Sequence, residues 1–314
     1  MLGYVLRRLV ATIPVVIVVA VVVFSLTRLS PGDPAAVIAG ENATTEQIAQ
    51  IRNRLGLDQP LLVQFGRWSW NIIHGDLGVS IFTNTPVASL IVQRIGPTLS
   101  LAVVTVIFAL LLGIPAGVLA AVFARRLPDR MVMLVAVAGF SIPIFVLAYL
   151  LILGFAISWP LLPVQGYAPL AQGFLPWLSK LILPSLALAL VYAALIARTT
   201  RAALLDVLAE DYIRTAKAKG LLPREVVWLH ALKAASVPIV TVVGIGIALL
   251  VGGAVVIETV FAIPGLGRLT VDAIARRDFP VIQGVILLFS GVYVLINLVI
   301  DLSYTWLDPR VRFA

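Results

Sequence analysis

The residue types that carry most enzyme chemistry are scarce in this chain, and those present are poorly placed for it. The sequence contains no cysteine, which excludes thiolate metal sites, iron–sulfur clusters, cysteine nucleophiles and disulfide frameworks. Its two histidines, His74 and His230, fall in segments assigned below to opposite sides of a membrane, so no histidine metal cluster can assemble. ATP hydrolysis on a phosphate-cradling loop requires a Gly-Lys pair, because backbone N–H groups and the lysine must meet the phosphates together. No Gly-Lys pair occurs anywhere. Gly265-Leu266-Gly267 is a bare GxG with Thr270 where a third glycine would stand, and so is no dinucleotide fingerprint. Ser141 precedes Ile142-Pro143, and the surrounding apolar run contains no histidine to activate a serine. This serine marks a helix kink whose freed backbone groups are satisfied locally.

The charged residues that remain lie in the connections between apolar blocks, and those blocks must position them. The 314 residues are 61% hydrophobic and 12% charged, with a mean hydropathy of +1.07. Soluble domains carry about 25% charged residues, so this chain cannot solvate a globular surface and belongs in a membrane. Six runs free of Asp, Glu, Lys and Arg approach the roughly 20 residues needed to span hydrocarbon as a helix. They are Leu9–Thr27, Leu99–Ala124, Met131–Ile157, Leu181–Ala197, Val237–Ile257 and Val281–Ile300. The first follows Arg7-Arg8, as a signal peptide would, but its 19 residues exceed a signal h-region. It reads as a retained helix.

Basic residues set the orientation. With a cytoplasmic amino terminus, the inside segments hold 14 Lys/Arg in 67 residues and the outside segments hold 9 in 117. The positive-inside rule then places both termini in the cytoplasm. The net charge of +8 is accounted for by topology, not by a nucleic-acid surface. The chain divides into a first transmembrane helix (1–29), an external subdomain with short helices (30–98) and a core of five transmembrane helices (99–314). No apolar run holds an ionisable residue of the kind that ion-coupled carriers use, and no potassium-type filter sequence is present. Small residues, Gly113 and Gly117 as GxxxG and Gly252-Gly253, favour close helix contacts.

Three outside connections carry structure of their own. Thr44-Thr45-Glu46-Gln47 forms a capping box that opens a helix ended by Gly56. A second short helix follows Pro60 and carries Leu62, Phe65, Trp68 and Trp70 toward His74-Gly75-Asp76-Leu77-Gly78. This region is either a cap over the outer helix ends or a docking platform. Ser158–Lys180 is broken by Pro160, Pro163, Pro169 and Pro176 and reads as a re-entrant or interfacial loop. Val256–Pro280 is expected to be similar, with a tight turn at Pro264-Gly265-Leu266-Gly267. Its Glu258 is either an interfacial carboxylate reaching water or a gate or docking group. Asp76, Arg277 and Asp278 join it as candidates for external docking or gating.

The inside segment 198–236 is the most informative, with seven basic and four acidic residues in 39. Helix formers run from Ala202 to Lys219, Gly220 breaks them, and Pro223 restarts a helix on which Val226, Val227, His230 and Ala234 can share a face. Anionic headgroups would explain the charge. They would not explain a helix–turn–helix with its own glycine turn, which suits insertion into a partner protein.

The stretch Glu210-Asp211-Tyr212-Ile213-Arg214-Thr215-Ala216-Lys217-Ala218-Lys219-Gly220 resembles the coupling loop of ABC importer permeases of the dipeptide/oligopeptide/nickel group, which includes permeases for glutathione-like peptides. Leu6-Arg7-Arg8-Leu9, Pro31-Gly32-Asp33-Pro34, Gly75-Asp76-Leu77-Gly78-Val79-Ser80, Glu258 through Gly267, Arg277-Asp278-Phe279-Pro280 and Asp308-Pro309-Arg310 are similar to that group in order and spacing. Arg214 stands for the glutamate of the general E-A-A-x-x-x-G motif and Thr215 for its first alanine, while Ala216 and Gly220 match. His230 and Lys233 replace the Ile and Pro of the I-x-L-P that follows. The resemblance implies an all-α integral membrane protein of the type I importer fold in the bacterial cytoplasmic (inner) membrane. It implies a heterodimer with a second permease, two cytoplasmic ATPases that use ATP and Mg²⁺, and an external substrate-binding protein. It implies no cofactor bound by this chain itself. Glu210, Asp211, Tyr212, Arg214, Thr215, Ala216, Lys217, Ala218, Lys219 and Gly220 would contact the ATPases, and the substrate would be a dipeptide, oligopeptide or glutathione-like peptide.

Overall fold

A computed structural model describes residues 2–29, 34–39, 44–54 and 56–307. Pro31-Gly32-Asp33 and Asp308-Pro309-Arg310 lie outside the described residues, as do the side chains of Leu6 through Leu9. All six apolar runs are helical at their centres, and among the described residues the only β pairing is an isolated bridge between Val79 and Pro86. The chain forms two compact units, one from Met1–Arg94 with Leu269–Val294 and one from Ile95–Arg268 with Leu295–Ala314.

In the first unit, α1 (Leu2–Leu29) is followed by α2 (Pro34–Ala39), α3 (Thr45–Arg54) and α4 (Leu61–Ile73). The capping box forms as the sequence requires: Gln47 N–H donates to Thr44 Oγ1 at 3.3 Å, and Thr44 N–H donates to Gln47 Oε1 at 3.0 Å. Gly56 ends this segment at φ +65°. Phe65 and Trp68 of α4 pack on Phe24 of α1, with ring centroids 5.2 and 5.5 Å apart.

The second unit holds most of α5 (Val87–Val122), then α6 (Leu127–Ser141), α7 (Ile144–Ile152), α8 (Phe174–Leu208), α9 (Asp211–Ala218), the short α10 (Pro223–Glu225) and α11 (Leu232–Ala234), and α12 (Ser236–Val260). Gly113 and Gly117 place α5 directly on α8, since an added Cβ would stand 2.9 and 2.6 Å from the carbonyl oxygens of Ala193 and Ala197. The GxxxG face is therefore used inside the chain. Leu101, Leu188, Tyr192, Ile257 and Phe261 are core residues of this unit.

Several boundaries depart from the sequence reading. The second apolar run extends back to Val87 and takes in Arg94 and Pro97. The third run is no continuous helix: α6 and the α7 segment ending at Ser158 meet at 104°. Pro143 lacks an N–H and forces Ile142 out of helical geometry, leaving Ile142 at φ −80°, ψ 127°. Ser141 Oγ donates back to Val137 O at 2.8 Å. Within Ser158–Lys180 only the first part is irregular, because α8 starts at Phe174 and takes Pro176 in its first turn, where no N–H partner is lost. Val256–Pro280 is largely helical, since α12 runs to Val260, α13 spans Leu266–Arg276 and α14 spans Phe279–Leu307. Leu266, Leu269 and Ala273 of α13 are buried at helical spacing, a periodicity that the Pro-Gly-x-Gly turn masked in the sequence.

Candidate functional site

The run of helix formers expected from Ala202 to Lys219 breaks at Ala209–Glu210. Glu210 adopts an extended conformation (φ −68°, ψ 148°) that ends α8 and caps α9. The chain then reverses at Gly220, which is left-handed at φ +84° with nothing within 4 Å of where a Cβ would stand. Glycine is required here for its backbone conformation and not for space. Leu222 N–H donates to the Glu225 carboxylate at 3.0 Å and starts the return helix.

That return helix contains a π turn at Val226–Ala231. The wider turn adds a residue per revolution, so the buried face is Val226, Val227, Ala231 and Ala235. His230 and Ala234, expected on this face from α-helical spacing, are exposed.

Ile213 is the anchor of α9. It is fully buried in a cluster with Val118 of α5, Leu204 of α8, Val226 of the π turn and Ile239 of α12. Sequence reasoning passed over Ile213 in favour of its charged neighbours, although a lone isoleucine in so polar a helix was the available signal. Glu210, Asp211, Tyr212, Arg214, Thr215, Lys217, Ala218, Lys219 and Gly220 are all exposed. Ala216 is half-buried against the chain's own cluster, which leaves Ala218 as the small residue on the outer face. Burial first, and the Glu210 carboxylate second, push the Tyr212 hydroxyl above the ordinary tyrosine range. Leu222, Trp228 and Leu229 are 51%, 50% and 64% exposed, so the surface around this turn is apolar as well as charged.

A half-buried ion pair links α6 to α8. Arg201 of α8 donates from Nε and Nη2 to Asp129 at 2.5 and 2.8 Å, and Arg125 N–H donates to the same carboxylate at 2.7 Å. Asp129 is 4% exposed. The fork ties the start of α6 to α8 ten residues before α9 begins at Asp211, and no local pattern pairs residues 72 positions apart.

The four external candidates divide by burial. Glu258 is fully buried, which overturns the reading of a carboxylate reaching water. Thr98 Oγ1 donates to its Oε1 at 2.6 Å, and Arg268 N–H, in the first turn of α13, donates to Oε2 at 3.0 Å. A carboxylate against the N-terminal amides of a helix is favourably placed. Asp278 is also buried, accepting from Ser80 Oγ at 2.5 Å and Ile81 N–H at 3.2 Å. Asp76 is exposed and accepts from Gly78 N–H at 2.9 Å. Arg277, at φ +57°, is exposed.

Beside the α6–α7 bend lies a cavity of about 570 Å³ with only apolar side chains, among them Leu112, Met131, Val135, Leu147 and Leu190.

Comparison with known proteins places this arrangement. The model for the inner membrane component of binding-protein-dependent transport systems matches residues 113–313, and the model for the N-terminal part of such membrane components matches residues 1–102. The chain belongs to this family. It is 52% identical over 310 residues to a probable peptide ABC transporter permease protein, y4tP, of Sinorhizobium fredii, covering 99% of each chain. It is 46% identical over 313 residues to the glutathione transport system permease protein GsiC of Escherichia coli K12, covering all of both. Among solved structures, a chain of the inward-facing MetNI methionine ABC transporter matches with a TM-score of 0.59 at 22% identity, covering 70% of this permease and 96% of that chain. The last likeness shows that this fold is shared with that chain.

Proposed function

We propose that this permease forms, with a second related permease, the translocation pathway of an ATP-driven importer of peptides in the bacterial inner membrane. Both termini are cytoplasmic and six helical segments cross the bilayer, the third of them broken at Ile142-Pro143. Two cytoplasmic ATPases hydrolyse ATP with Mg²⁺ and drive the pathway through α9. An external binding protein delivers the substrate, with Asp76 and Arg277 available to meet it.

The observation that carries this reading is the seat of α9. A partner's motion can shift the transmembrane helices only through an element joined to them and contacted differently in two states. Ile213 provides the join, because its cluster includes residues of α5, α8 and α12 at once. Peptide substrates are supported by the relatives named above. Nickel is disfavoured because no His or Cys lies in any of the six apolar runs.

The test is reconstitution. Proteoliposomes containing this chain, a second related permease and two partner ATPases, supplied with the binding protein, should accumulate glutathione or another short peptide only with ATP and all components present. The chain alone should neither hydrolyse ATP nor bind it specifically. Uptake by the chain alone in an ion gradient would establish a secondary carrier instead.

A further inference from the structure

One helix presents two apolar faces, and only one is covered. On α4, Phe65, Trp68 and Ile72 turn inward. Trp68 Nε1 donates to Gln283 Oε1 at 3.2 Å, and Gln283 Nε2 donates to the Val23 carbonyl at 3.2 Å. With the Phe24 contacts, this pins α4 to the carboxyl end of the apolar part of α1. At 100° per residue, Leu62, Gly66, Trp70 and Ile73 form a second stripe beside the first, with Arg67 and Asn71 beyond it. That stripe is open: Leu62 is 85% exposed, Ile73 78% and Trp70 64%.

The level at which the stripe sits identifies its occupant. Val15, Val16, Ile17, Val18, Val21 and Val22 of α1 are all exposed, and in a spanning helix such a face meets lipid. α1 is buried at Val23 and Phe24, with Leu26 beyond them 43% exposed, and α4 is attached at Phe24 directly and at Val23 through Gln283. The stripe thus continues the lipid-facing surface at the edge of the hydrocarbon, where tryptophan is favoured, and Arg67 can reach headgroups while its stem stays apolar. A binding protein that leaves after each delivery would abandon these large apolar side chains to water.

We propose that α4 is an interfacial helix whose Leu62–Trp70–Ile73 face is seated in phospholipid at the outer surface of the membrane. The inference rests on α1 being a span. The lack of native cysteine permits single nitroxide labels at Leu62→Cys, Ile73→Cys, Arg67→Cys and, as a control on the span, Val18→Cys. In nanodiscs of phosphatidylethanolamine and phosphatidylglycerol, with the permease partner present, collision with oxygen and with a water-soluble nickel chelate is measured for each. Labels at 62 and 73 should favour oxygen severalfold over the chelate, with the preference reversed at 67. Equal chelate access at 62, 73 and 67 would overturn the proposal in favour of water. Exclusion of both reagents at 62 and 73 would overturn it in favour of a protein cover. A chelate-accessible label at 18 would instead remove the span reading, and the proposal with it.

Discussion

Two glycine turns, around Gly220 and around Gly265, put the same residue to opposite uses. At Gly220 the space is empty and the backbone is left-handed. At Gly265 the space is filled: an added Cβ would stand 2.2 Å from the Glu258 carboxyl carbon, and at Gly267 it would stand 2.6 Å from Val255 Cα. The first turn presents its surroundings outward, with charged and apolar side chains exposed on α9 and the return helix. The second closes on a buried carboxylate that Thr98 and Arg268 hold. The exposed turn keeps its glycine for conformation. A turn that locks its own helices together keeps its glycines for volume.

Gly265→Val should separate the two most sharply. Its methyl groups have no room beside Glu258, so this variant should fail to accumulate in the membrane fraction, whereas Gly220→Val should accumulate as wild type. Equal amounts of both proteins in membranes would show that the Gly265 turn is not packed as described.

Gly220→Val should act on function. A β-branched residue is strained at positive φ, by about 1–3 kcal/mol, enough to move the α9 turn without unfolding the spans. Peptide uptake by the reconstituted importer should fall at least tenfold, with ATPase activity no longer stimulated by loaded binding protein. Wild-type uptake would remove the coupling role from this turn.

Glu258→Gln is a subtler change. The amide keeps an oxygen for one donor but offers N–H groups to the other, leaving a buried mismatch worth about 1–3 kcal/mol. The detergent-solubilised importer should melt several degrees lower while its ATP-to-peptide ratio is unchanged. A changed ratio with an unchanged melting temperature would make Glu258 a gate and not a lock.

Lys217→Ala should matter least. Its side chain is exposed, and a surface ion pair with an ATPase would contribute about 0–1 kcal/mol. Uptake should stay within a few-fold of wild type, and a loss as deep as that of Gly220→Val would mean that charge, not shape, holds the partner.

Much of this architecture was legible in the residues, for reasons that are local. Charge-free runs mark helices because the bilayer penalises anything else, and the Thr44–Gln47 capping box acts within a single turn. The glycine turn at 220 is likewise written in its own neighbourhood. What escaped depends on partners distant in sequence or on a change of period. Glu258 looked exposed because nothing nearby shows that Thr98 and the start of α13 will enclose it. His230 was placed on the wrong face because the π turn moves the pattern on by one residue, and α6 and α7 read as one span because a single Ile-Pro step gives no measure of a 104° bend.

The π turn at Val226–Ala231 also constrains anyone who builds chimaeras of these permeases. An exchange joined inside those six residues to a partner lacking the extra residue would rotate everything downstream by about 100°, turning the buried side of α12 outward. Crossovers should therefore fall before Pro223 or after Ala235, so that the loop and its phase are inherited as one cassette.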